Sequence, residues 1–221
     1  MNLNDLTVLT VTFNNNMLTV MMLKSFMKQT HYFPHIVIVD NGDSIPADDA
    51  MKRVFNVVDN YNHLLLPDEF QCSRNHCAAI DYALKHAIQT KWALLVDNDI
   101  LFYPALSEFL QKFDDTLYDC AGEIGWDATP PNRLYPYFCL INVEKFNKEK
   151  LNYFDRERII SPDDSLPDWN RMDTGYSFYE DIKQTWRIYE FPISSVCIHL
   201  KSGLYAHKNI PEWLNSHADL L

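Results

Sequence analysis

The triplet Asp97-Asn98-Asp99 sets two carboxylates two residues apart, directly behind the apolar run Trp92 to Val96. Paired carboxylates at a strand end suit a hard divalent ion, because Mg2+ and Mn2+ take oxygen ligands and keep positions open for substrate phosphate oxygens. An ion held there would neutralise a departing diphosphate. The plainer alternative is an acidic turn that merely closes a strand. A second carboxylate has the same setting, since Ile36 to Val39 runs into Asp40, Asn41 and Gly42.

These residues need a frame that brings strand ends together. Leu6 to Phe13 is short and rich in β-branched residues, which predicts a buried strand, and Asn14-Asn15-Asn16 supplies turn and capping chemistry before a helix from Met17 to Lys28. Ile36 to Val39 is the second strand. A short helix over Ala47 to Val54 and a further strand at Asn56 to Asp59 or Leu64 to Leu66 follow. From Ser73 to Gln89 the apolar positions Cys77, Ile80, Ala83, Leu84, Ala87 and Ile88 recur at helical spacing and mark one buried face. Trp92 to Val96 is then a strand and Ala105 to Phe113 a helix. Strands alternating with helices predict an α/β fold with a mostly parallel central sheet, helices on both faces, and a ligand site beyond the carboxyl ends of the strands. Asp40, Asp97 and Asp99 all belong to that edge.

The second half reads differently. Between Gly122 and Pro167 come Pro130, Pro131, Pro136 and Pro162, scattered aromatics and no sustained periodicity, which predicts irregular structure or a small antiparallel extension. Asp173-Thr174-Gly175 opens a helix to about Trp186, and "SSVCIHLKSGLYAH" reads as a strand and a polar loop. The expectation is one domain over 1–221.

Composition removes several classes. A net charge of −11 disfavours broad binding to nucleic acid or anionic lipid. Five glycines cannot assemble GxGxxG or GxxxxGK[ST], so neither a dinucleotide fingerprint nor a P-loop is present. Five cysteines without a CxxC pair argue for buried free thiols over a disulfide framework or a zinc site. With no signal peptide and no long apolar run, the expected compartment is the cytoplasm.

Four segments, in order, resemble the GT-A glycosyltransferases and most closely their large family-2 group: "TVLTVTFNN", "LKSFMKQT…HIVIVDNGDS", "CSRNHCAAIDYAL" and "WALLVDNDILF". They span about residues 6 to 103, nearly half the chain. The resemblance implies a nucleoside-diphosphate sugar donor and Mn2+ or Mg2+, with 1–115 as the nucleotide-sugar-binding half and 116–221 as the acceptor-binding half. It puts Thr12, Phe13 and Asn14 along the nucleotide base and Asp40 on the base or ribose. Arg74 and Asn75 match the "RN" that opens the helix before the DxD strand, with Arg74 toward sugar hydroxyls or diphosphate. Asp97 would face ribose or donor sugar, and Asp99 would hold the metal.

Farther on, "MDTGYSFYEDI" is similar to an acceptor-side helix start, where a carboxylate can take the proton of the acceptor hydroxyl. Asp173 is the first candidate for that base, with Glu180 and Asp181 as alternatives. Aspartate before a helix is also a good N-cap, so Asp173 has two readings. "CIHLKSGLYAH" is similar to the element that returns a histidine to the metal, which nominates His199 and His207, while Lys201 could neutralise the diphosphate.

Rival classes remain beside this one. A HAD-type phosphatase also ends a strand in DxD, but it carries the motif on its opening strand, whereas here about ninety residues precede it. A nucleotidyltransferase would want a glycine-rich phosphate loop near "TVTFNNN", which has none. A catalytically inactive binding module of the same fold is the third. The acceptor hydroxyl belongs to a glycan, lipid carrier, protein or modified nucleic acid.

Overall fold

The computed structural model describes residues 1–12, 16–40, 61–65, 76–125, 133–153, 175–200 and 210–221. Leu6–Thr12 forms β1, buried at every position, as a strand covered on both faces must be. His35–Asp40 is β2, Tyr61–Leu65 is β3 and Trp92–Val96 is β4. These four run parallel in the order β3-β2-β1-β4. The sheet continues through β7 (Arg133–Asn142), β6 (Cys120–Gly125) and β8 (Ile188–Glu190), with β7 antiparallel to both β4 and β6 and β8 parallel to β6. The result is a mixed, mostly parallel α/β sheet. A two-stranded ribbon of β5 (Ile100–Phe102) and β9 (Cys197–His199) lies apart from it.

Side chains leave a strand alternately to its two faces, and the core divides accordingly. Leu6, Val8, Leu94 and Val96 meet Leu23 and Phe26 of α1 (Asn16–Thr30), Phe102 of β5, and Leu106 and Leu110 of α3 (Ala105–Lys112). Leu9, Val11, Ala93 and Leu95 meet Ile80 and Leu84 of α2 (His76–His86), Phe146 of α4 (Val143–Lys148), and Phe178 and Ile182 of α5 (Tyr176–Ile182). Helix α1 runs two residues past the expected Lys28 and stops where His31 turns left-handed (φ 52°), its N–H donating to Met27 O at 2.9 Å. A last helix, α6, covers Ile210–Ser216.

The second half holds more regular structure than its composition predicts. β7 is a ten-residue strand in the main sheet, pairing along β4 from Asn142–Trp92 to Phe138–Val96. Pro136 interrupts no ladder there, because it lies beyond the end of β4 and opposite a register shift between Gly122 and Ile124 of β6. β5, β8, α4 and α6 were not expected either. Each is three to seven residues long, too short to establish a period. The anticipated helix at Ala47 to Val54 and strand at Asn56 to Asp59 lie outside the described residues. Cys77, Cys120, Cys139 and Cys197 are buried free thiols, as expected; Cys72 lies outside the described residues.

Candidate metal and donor site

The acidic triplet turns the chain from β4 into β5. Asp97 N–H donates to Tyr137 O (3.3 Å), and the Asn98 side-chain amide donates to the hydroxyls of Thr12 (3.3 Å) and Thr19 (3.4 Å). Asn98 therefore ties the turn to the end of β1 and to α1, and leaves the flanking carboxylates to point elsewhere. Antiparallel pairing of β5 with β9 sets Ile100 opposite His199, and Leu200 N–H donates to Asp99 O (3.0 Å). A residue about one hundred positions downstream is thereby brought to the triplet.

His199 Nε2 lies 2.9 Å from Asp99 Oδ1 and 3.7 Å from Asp97 Oδ2. One ligand atom from each of Asp97, Asp99 and His199 falls within 4.8 Å of the other two. Neighbouring ligands of an octahedral ion bound at about 2.1 Å stand roughly 3 Å apart, so small adjustments would let all three coordinate one cation. Asp97 Oδ1 is buried without a hydrogen-bond partner, a costly condition that a bound cation would relieve. The donor set, two carboxylate oxygens and one imidazole nitrogen, fits a divalent ion.

The two carboxylates also favour a protonated imidazole. Burial disfavours a charged His199, but its hydrogen bonds to Asp97 and Asp99 and their negative charges outweigh burial and raise its pKa to about 9. Burial likewise pushes the Asp97 carboxyl upward, and is overcome by His199 and by the charge of His76, so that its pKa is lowered. His76 Nε2, at the start of α2, stands 3.7 Å from Asp97 Oδ1. The Cys197 thiol, on the same ribbon, is pushed up to about 12, chiefly by burial, and stays protonated.

The predicted site residues divide as follows. Asp97, Asp99 and His199 come together. Thr12 is fully buried at the end of β1, its hydroxyl accepting from Asn98, so it holds the turn. Asp40 is the last residue of β2, at the same carboxyl edge of the sheet as the end of β4. Glu180 and Asp181 lie on α5, where both Glu180 oxygens accept from Lys183 Nζ at 2.7 Å. That helix starts at Tyr176 with left-handed Gly175 at its N-cap. Phe13, Asn14, Arg74, Asn75, Asp173, Lys201 and His207 lie outside the described residues. Sequence reasoning missed His76, Asn98 and Tyr137. The first two stand beside residues already singled out, "RN" and the DxD pair, whereas nothing local to Tyr137 marks it.

With this geometry in place, likeness to known proteins can be weighed. The profile described as glycosyl transferase family 2 matches residues 7–168, well over half of the chain. The chain belongs to glycosyl transferase family 2. A comparison with curated protein sequences returns no match. Among solved structures, the chain is similar to the mannosyltransferase PcManGT from Pyrobaculum calidifontis, in complex with GDP-Man and Mn2+ (TM-score 0.63, 15% identity, 91% of this chain and 59% of that one). It is also similar to S. aureus TarS 1-349 (TM-score 0.55, 17% identity, 87% of this chain and 59% of that one). The glycosyltransferase GlyE of Streptococcus pneumoniae is a third (TM-score 0.55, 11% identity, 86% and 45%). At such identities the likeness is one of fold, the GT-A fold, and the family-2 chain spans about six-tenths or less of each of these neighbours. No described helix is long and apolar enough to cross a membrane.

Proposed function

We propose that the chain transfers a sugar from a nucleoside-diphosphate sugar to an acceptor hydroxyl, with a divalent ion held by Asp97, Asp99 and His199. The observation that carries this reading is the convergence of those three side chains at the carboxyl edge of the parallel strands in a family-2 fold. Mn2+ is favoured over Mg2+, because imidazole suits a transition metal while Mg2+ prefers oxygen ligands throughout. Such an ion would supply positive charge to the leaving diphosphate.

The chain's own residues do the rest. Asp40, ending β2, receives the nucleotide, Phe13 and Asn14 border its base, and Thr12 acts through the turn it holds. Arg74 and Asn75 are proposed to contact the donor's sugar hydroxyls or diphosphate, and Lys201 to neutralise the diphosphate. Asn98 keeps Asp97 and Asp99 splayed toward the ligand by its bonds to Thr12 and Thr19. In the transfer, the bond from the anomeric carbon to the diphosphate oxygen breaks and a bond to the acceptor oxygen forms. If the anomeric centre inverts, the acceptor's proton passes to a carboxylate. Asp173 is the proposed base, ahead of Asp181 and of Glu180, whose oxygens Lys183 occupies. His207 is a further candidate ligand. The half 116–221 shapes the acceptor site, and the acceptor is a glycan, lipid carrier, protein or modified nucleic acid.

The test is calorimetry of UDP and GDP with Mn2+ and with EDTA, on the wild type and Asp99→Asn. Tighter binding with Mn2+ that Asp99→Asn abolishes, in a protein that still folds, is expected. Equal affinity under both conditions would remove the metal from the reading. An inactive binding module of the same fold would bind the nucleotide with metal yet release no diphosphate from any donor sugar.

A further inference from the structure

The three ligand side chains come from two separate segments of chain, joined by the β5–β9 pairing, and a third element, β7, lies against both segments. Tyr137 touches both. Its carbonyl oxygen accepts from Asp97 N–H (3.3 Å), continuing the β4–β7 ladder one step past Val96–Phe138. Its ring stacks on the His199 imidazole, centroids 4.8 Å apart and planes 19° from parallel. On the other side, Tyr135 lies 5.3 Å from the Tyr137 ring at 30°, and the Arg133 guanidinium sits 5.5 Å over Tyr135. Tyr135 in turn packs against Gly125, where a Cβ would come within 2.7 Å of its ring. A stack therefore runs from Gly125 and Arg133 through both tyrosines to the imidazole, along one face of a strand anchored in the core by Leu134 and Phe138, both fully buried.

We infer that Tyr137 is the positioning residue of the metal site, fixing the plane of the His199 ring with its own ring while its backbone fixes Asp97. Histidine has two side-chain torsions, and Nε2 reaches a shared cation only in a narrow range of both. The β5–β9 pairing fixes the backbone of His199 but not those torsions. A parallel ring at 4.8 Å does. Groups that orient a metal's ligands typically change affinity by about 10- to 100-fold when removed. The Tyr137 hydroxyl is not needed for this role. Burial, followed by the charge of Glu123, raises its pKa, so it stays protonated and contributes no charge to the ion.

This inference rests on the metal reading above, and the experiment separates the two. Free Mn2+ is measured by electron paramagnetic resonance in titrations of wild type, Tyr137→Phe and Tyr137→Ile, the last chosen because a β-branched residue suits a strand. Tyr137→Phe should hold Mn2+ within about 3-fold of wild type, and Tyr137→Ile should bind about 10- to 100-fold more weakly. UDP affinity in EDTA should be alike in all three. A Tyr137→Ile variant that binds Mn2+ as wild type does, or a Tyr137→Phe variant as weak as Tyr137→Ile, would overturn the positioning role. Wild type that binds no Mn2+ would instead overturn the metal reading. If Tyr137→Ile does not fold, proton NMR of the metal-free wild type and Tyr137→Phe decides. The His199 ring protons should lie upfield in both through the ring current of residue 137, and unshifted signals refute the stack.

Discussion

Ser25 on α1 is fully buried and bonds to Phe102 of β5. The ribbon partner β9 satisfies one side of β5, through Tyr103 N–H to Val196 O (2.8 Å) and Leu200 N–H to Asp99 O (3.0 Å). Phe102 points its backbone the other way, its N–H donating to Ser25 Oγ at 2.8 Å while the hydroxyl donates weakly to Phe102 O at 3.4 Å. Ser25→Ala leaves a buried N–H with no acceptor, which costs about 1–3 kcal/mol, while the long bond to the carbonyl adds little. Taking about 2 kcal/mol, the melting temperature of a protein this size should fall by about 4–8 °C. Because β5 begins at the residue after Asp99, the Mn2+-dependent part of the thermal stabilisation should shrink as well. The assay is calorimetric melting with and without Mn2+, with Ser107→Ala as control, since the Ser107 hydroxyl accepts from the Gln111 side chain at the surface. A Ser25→Ala protein within about 0.5 kcal/mol of that control, the usual span for surface substitutions, would refute the argument that β5 depends on this bond.

Gly175→Ala should cost about 2 kcal/mol or more in urea denaturation: φ is +89°, and a Cβ would stand 2.3 Å from Leu134 O, a backbone atom of β7 that cannot swing aside. Asp119 accepts from Arg187 N–H and guanidinium and lies 3.0 Å from Lys145 Nζ; burial pushes its pKa up, but these partners outweigh burial and lower it. A depressed folded-state pKa gives stability that is present above the unfolded value of about 4 and lost as pH falls below it. The gap in urea midpoint between wild type and Asp119→Asn should therefore be full at pH 6 to 7 and shrink as pH falls below about 4, and a gap undiminished at pH 3 would contradict this. Asp40→Ala should weaken UDP or GDP binding by about 1–3 kcal/mol, equally with Mn2+ and with EDTA, as measured by calorimetry; an unchanged affinity would take Asp40 out of the site.

The sequence alone determined the half of the fold whose signals are local. β2 and β4 carry continuous apolar runs, β1 is a short segment rich in β-branched residues, and α2 repeats its apolar positions at helical spacing, so each was legible within a short window. The DxD pair was legible for the same reason, being a chemical contrast between adjacent residues. His199 was named only through family resemblance, and nothing in its own neighbourhood distinguishes it from His207. Tertiary structure decided how β7 enters the sheet, because a strand with Pro136 and two half-exposed tyrosines has no clean period and is fixed instead by pairing with β4 and β6. It also decided that Asp99, His199 and Tyr137 share one site. Strand pairing joins residues by hydrogen-bond register and not by separation along the chain, and register between β5 and β9, a hundred residues apart, leaves no trace in either three-residue segment.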